Sequence, residues 1–179
     1  MNGLIAVTTA AVRAAHWHAD QRRKGVAGEP YVNHLLEVAS LVADATGGND
    51  VNLVIAALLH DAMEDQGVTP AMIAGEFGED VAALVMQVTD DKSLPKAQRK
   101  ALQIEHAPHK SPRAALLKMA DKTSNLAALA SSPPADWSVQ RRADYVLWAR
   151  QVVAGLQVDN AFLRGRFAEA ADAAERASA

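Results

Sequence analysis

Leu58-Leu59-His60-Asp61-Ala62-Met63-Glu64-Asp65 closes an apolar run, Leu53 to Leu59, with two polar pairs in quick succession. If Val51 to Asp65 is one helix, His60 and Asp61 project about 100° apart and Glu64 lies one turn on. Both members of the first pair can then lean on a cation seated between their directions. A carboxylate taken out of water needs a partner, so three of them beside Ala56, Ala57, Leu58 and Leu59 require a cation, a water-filled cavity, or both. The plain alternative is a buried helix that surfaces into a solvated loop.

Working outward, the neighbouring stretches also read as helices. Leu4 to Asp20 is Ala-rich with Ile5, Val12, Ala15 and Trp17, and reads as a first helix in which His16 and His18 are packing or surface residues. Arg22-Arg23-Lys24 closes it and enters a loop, Gly25 to Pro30. Asn33 is expected to cap a helix from His34 to Thr46 that stops at Gly47-Gly48, which puts His34 at its start. Asp50 caps the central helix. Thr69-Pro70 opens a short one to Phe77, and Val81, Leu84, Val85 and Val88 repeat at helical spacing.

Further along, Asp90 to Pro95 is a polar loop, followed by a helix from Pro95 to Ala107; His106 and His109 receive no role. Pro112 starts a long helix to Ser131, on which Asp121 and Asn125 share a face. That face reads equally as a solvated stripe with Lys118 and Lys122. Two last helices span Ser138 to Leu156 and Asn160 to Arg176, the final one expected to fray. No period-two alternation and no Gly-rich phosphate loop occur. The fold class is all-α: eight or so helices in one compact bundle, a single domain over 1–179 with its core at about 16–157 and a C-terminal helix at 160–176.

Composition narrows the chemistry. The 179 residues are 50% hydrophobic with a net charge of −3, enough for one well-filled core. With no Cys, thiolate sites are excluded, so a metal must be held by imidazole and carboxylate. The slightly acidic balance argues against non-specific nucleic-acid binding. No apolar run is long enough for a membrane span, and no basic residue precedes the apolar N-terminal residues, so a cytoplasmic protein is expected, of open oligomeric state.

Taken in order, Tyr31-Val32-Asn33-His34, His60-Asp61 with Glu64-Asp65, and Ala120-Asp121-Lys122 with Asn125 resemble the HD-domain phosphohydrolases. Within them the likeness is to the stand-alone small alarmone hydrolases, metazoan-type relatives of the RelA/SpoT hydrolase domain, which remove the 3′-diphosphate from (p)ppGpp. It runs from about His16 to Gln157 and includes Gln21-Arg22-Arg23-Lys24, Val88 to Lys92, Leu94-Pro95-Lys96 and Trp137 to Trp148. The resemblance implies that His34, His60, Asp61 and Asp121 hold one divalent ion, manganese in this family, and that Glu64 and Asp65 handle the attacking water. It places Arg23, Lys24, Lys96, Asn125, Arg141 and Tyr145 against a small-molecule nucleotide substrate. Ala62-Met63 and Thr123-Ser124 fall at variable sites between motif residues.

Two imidazoles and two carboxylates also suit iron or zinc by ligand type. Glu64 stands one turn from the ligands, where it can take a proton from water, and Asp65 can align that water. Two alternatives stay open: an HD-type phosphatase of another nucleotide such as NADPH, and an HD bundle that binds a nucleotide or partner without turning it over.

Overall fold

The computed structural model describes residues 2–178; Met1 and Ala179, part of the expected 1–179 span, lie outside the described residues. Among them there is no strand, only an isolated bridge between Arg22 and Pro30. The chain folds as a compact all-α bundle. Its α-helices are α1 (Gly3–Trp17), α2 (Val32–Thr46), α3 (Val51–Leu59), α4 (Ala62–Gln66), α5 (Pro70–Phe77), α6 (Glu79–Val88), α7 (Lys96–His106), α8 (Pro112–Ser131), α9 (Val139–Gly155) and α10 (Ala161–Arg176). A 3₁₀ turn, Ala107–His109, links α7 to α8.

Most boundaries follow local chemistry. The side chains of Asp50, Thr69, Ser111, Ser138 and Asn160 each accept an N–H of the first turn they precede. Each satisfies a donor that would otherwise be orphaned, worth about 1 kcal/mol. Gly47 ends α2 at φ 58° and Gly67 ends α4 at φ 68°, in the left-handed region where a side chain would be strained.

Three expectations are corrected. The stretch from Val51 to Asp65 is not one helix: it breaks at His60-Asp61. His60 Nδ1 lies 2.8 Å from the Ala57 carbonyl, to which the Asp61 N–H would donate in a continuing helix. Second, α2 begins at Val32, because the Asn33 and His34 N–H groups are already taken by the Pro30 and Tyr31 carbonyls. Asn33 is therefore not a cap. Third, α10 does not fray within its expected span. Leu163, Phe167, Ala170, Ala171 and Ala174 are buried, and the helix packs along α8.

Seven consecutive residues of α3, Leu53 to Leu59, are buried among α1, α2, α6 and α8. Each such leucine contributes roughly 1.5–3 kcal/mol by leaving water. α8 is enclosed as well: Lys118, Asp121 and Lys122 are buried with its apolar residues, so the face shared by Asp121 and Asn125 is no solvated stripe. The packing of α2, α3 and α8 brings the first turn of one, the last turn of the second and the middle of the third to a common point.

Candidate functional site

That point holds His34 from α2, His60 from the end of α3 and Asp121 from α8, with one ligand atom of each within 4.8 Å of the others. Asp61, at the helix break, stands at the edge of this group: its Oδ2 lies 3.2 Å from His60 Nε2 and 3.7 Å from His34 Nε2. Asp121 Oδ1 lies 3.4 Å from His34 Nε2 and 3.8 Å from His60 Nε2. Neither Nε2 finds a hydrogen bond, although both are buried. Buried polar atoms are rarely left so. Atoms that converge on a point without bonding to one another are arranged for a third body between them.

The opposite edge of each ring is fixed. Ser124 Oγ donates to Glu37 Oε2 at 2.6 Å, so at 2.9 Å it accepts from His34 Nδ1. His60 Nδ1 donates to the Ala57 carbonyl. Both Nε2 lone pairs are thereby turned inward, the support that metal-ligating histidines ordinarily have. Tyr31 Oη donates to Asp61 Oδ2 at 2.6 Å, and the Asn125 amide donates to Asp121 Oδ1 at 2.6 Å. Burial alone would lower His60, but Asp61 and Asp121 outweigh it and push its imidazole up to about 10. The donor set, nitrogen and oxygen only, suits a divalent ion.

Glu64 and Asp65 follow on α4. Glu64 Oε1 accepts from Arg99 at 3.3 Å and its Oε2 from the Asp90 N–H at 3.4 Å. Burial, with Asp61 and Asp90 nearby, raises its carboxyl above the usual glutamate value. Asp65 is held by Lys92 on one oxygen and by the Gln21 amide, at 2.7 Å, on the other.

A cleft of about 830 Å³ opens in front of both acids, and its wall carries Arg23, Lys24, Lys96, Asn125, Arg141 and Tyr145 together. Cation and ring alternate along one side. The Arg141 guanidinium lies 4.5 Å from the Trp137 ring, with Lys96 5.9 Å from it on the same residue. Trp137, Tyr145 and Trp148 follow one another at 5.5 and 5.2 Å. Lys100 and Lys122 each sit 4.5 Å from Trp148, and Lys122 Nζ reaches Asp121 Oδ2 at 3.1 Å. Arg23 is committed to Glu37, Ser124 and Asn125, which makes it the wall's anchor as much as a free charge.

Sequence reading missed several of these groups. Ser124, read as a variable lining residue, orients His34. Tyr31, which holds Asp61, and Gln21, Lys92 and Arg99, which hold the two further acids, carry no role in the sequence alone. Only the companions of Glu64 and Asp65 in space, not in sequence, single them out.

Buried imidazoles and carboxylates thus gather at a helix break in an all-α bundle, beside two further acids and a cationic cleft. The chain belongs to the HD domain family, whose match covers residues 10–150. It is similar to the guanosine-3′,5′-bis(diphosphate) 3′-pyrophosphohydrolase MESH1 of Xenopus tropicalis, 47% identical over 160 residues and 89% of each chain. The human MESH1 is 48% identical over 147 residues, 82% of each chain. The solved structure of a metazoan SpoT ortholog that hydrolyses ppGpp superposes with a TM-score of 0.88 at 41% identity, covering 92% of this chain and 93% of that one. The likeness thus spans most of the length of these relatives.

Proposed function

We propose that this protein is a guanosine-3′,5′-bis(diphosphate) 3′-pyrophosphohydrolase, converting (p)ppGpp and water to GDP or GTP and pyrophosphate. The observation that carries it is the convergence of His34, His60 and Asp121 within 4.8 Å, next to Asp61, which with Glu64 and Asp65 lines a cleft that also carries Arg23, Lys24, Lys96 and Arg141. The likeness to MESH1 proteins supports the choice of substrate. The whole chain acts as one cytoplasmic hydrolase domain.

His34, His60, Asp61 and Asp121 would hold the divalent ion, manganese in this reading. Such an ion, when bound, lowers the pKa of water and polarises a phosphoryl oxygen. The rest of the work falls to the chain. Glu64, whose raised carboxyl makes it a stronger base than an exposed glutamate, takes the proton of the attacking water. Asp65, held on both oxygens, aligns that water. Lys24, Lys96 and Arg141 receive the phosphates, and Asn125 keeps Asp121 in register. The Trp137 and Tyr145 rings offer the leaving nucleoside an apolar side. Water attacks the phosphorus bonded to the ribose 3′ oxygen, that P–O bond breaks, and the 3′ oxygen leaves with the proton that Glu64 took from the water. Incubation with ppGpp and manganese, followed by separation of products, tests the reading: GDP and pyrophosphate support it, and intact ppGpp refutes it.

A further inference from the structure

Behind Asp65 lies a buried histidine that the reaction just described does not use. His18 caps the C-terminus of α1 with its side chain buried. Its Nδ1 is 2.5 Å from Gln21 Oε1, and its Nε2 has no hydrogen-bond partner. Gln66 Nε2 also points to Gln21 Oε1, at 2.7 Å, while Gln21 Nε2 lies 2.7 Å from Asp65 Oδ2.

Gln66 Nε2 also lies 3.3 Å from His18 Nδ1, but the shorter contact to Gln21 decides the proton arrangement. If the Gln21 amide were flipped, its carbonyl would face the Asp65 carboxylate and its NH₂ would face the NH₂ of Gln66. With the amide as it stands, His18 Nδ1 must carry hydrogen, since two lone pairs cannot meet at 2.5 Å. Hydrogen on Nε2 would then be a buried donor with nothing to receive it. The ring is therefore neutral, with its hydrogen on Nδ1. Its face stacks on Tyr31, centroids 5.3 Å apart and planes at 22°, and Tyr31 is the residue that holds Asp61.

We propose that His18 is a positioning residue for hydrolysis: through Gln21 it sets the direction of the Asp65 carboxylate, and through its stack on Tyr31 it steadies Asp61. The proposal rests on the reading of Asp65 as the group that aligns water, and it is tested by two measurements, one of them independent of turnover. In the full-length protein, ¹⁵N NMR of labelled histidine should show His18 neutral with hydrogen on Nδ1, with or without a diamagnetic divalent ion. A hydrogen on Nε2 overturns the proposal.

In the kinetic test, His18→Phe keeps a ring on Tyr31 but has no donor, whereas His18→Asn keeps a donor near the place of Nδ1. The Phe variant should lose roughly tenfold in kcat, as loss of a supporting hydrogen bond does, with KM for ppGpp within about twofold. The Asn variant should recover most of that loss even where both melt at the same lowered temperature. Equal activity in the two variants, tracking stability alone, overturns the proposal. A wild type inactive on ppGpp, or an Asp65→Asn variant with full turnover, would instead refute the reading of Asp65, and the NMR result alone then decides the state of His18.

Discussion

His34 Nε2 lies 3.4 Å from Asp121 Oδ1, joining the first turn of α2 to the middle of α8, yet the two atoms form no hydrogen bond. Their separation is set from outside the pair. Ser124 holds the far side of the ring and Asn125 holds the carboxylate, so each is aimed past the other toward His60.

Ser124→Ala removes the acceptor at His34 Nδ1 and leaves every proposed ligand in place. Divalent-ion affinity should fall about 10- to 100-fold, the usual loss when a supporting hydrogen bond to a ligating histidine is deleted. Titration calorimetry with manganese checks this, and an unchanged affinity would show that packing alone orients the ring.

Glu64→Gln keeps shape and polarity but removes the base. Turnover of ppGpp should fall about 10²- to 10⁴-fold with the divalent ion still bound. Metal analysis of the purified variant beside its kcat separates loss of chemistry from loss of the ion. Retention of most activity would mean that another group accepts the proton.

The same residue fixes the pH dependence. Burial, then the charges of Asp61 and Asp90, raises the Glu64 carboxyl above its unfolded value of 4.5. A base works deprotonated, so kcat should fall as pH drops through this raised value, at higher pH than an ordinary glutamate would give. For stability the sign is opposite to that of a salt-bridged acid. The folded state binds this proton more tightly than the unfolded one, so ionised Glu64 disfavours folding at neutral pH, and the penalty fades as pH falls. Glu64→Gln should therefore melt above the wild type at pH 7 and lose that advantage in mild acid.

Arg141 is half exposed, stacked on Trp137 and 3.6 Å from Asp136. Its charge is available to a phosphate at the mouth of the cleft. Arg141→Ala should raise KM for ppGpp more than it lowers kcat, and the difference from wild type should shrink as salt screens the attraction. A variant whose KM matches wild type at low and high salt would return Arg141 to the surface.

Helix ends were legible in the sequence wherever a short-range rule governs them. Thr69-Pro70, the Pro112 start and the Gly47 stop all fall where their chemistry places them. The break at His60-Asp61 was not, because it comes from a side chain competing for the Ala57 carbonyl, a choice made by packing. Lys118 and Lys122 look like surface residues in any window of sequence; their burial follows from what lies on the other sides of α8. The His34, His60 and Asp121 convergence was visible through the order of motifs, and Asp61, read with them as a fourth ligand, stands beside rather than within the tight group. Ser124 and Tyr31 matter through partners distant in sequence, and His18 reaches Asp65 only through Gln21, so no local pattern reveals them.

In the proposed reaction, water attacks the phosphorus bonded to the ribose 3′ oxygen and expels the nucleotide. Hydrolysis of ppGpp in ¹⁸O-labelled water, with the products separated and weighed by mass spectrometry, tests it most directly. Label in pyrophosphate with unlabelled GDP is the expected result. Orthophosphate as the first product, or label in the nucleotide, would contradict it.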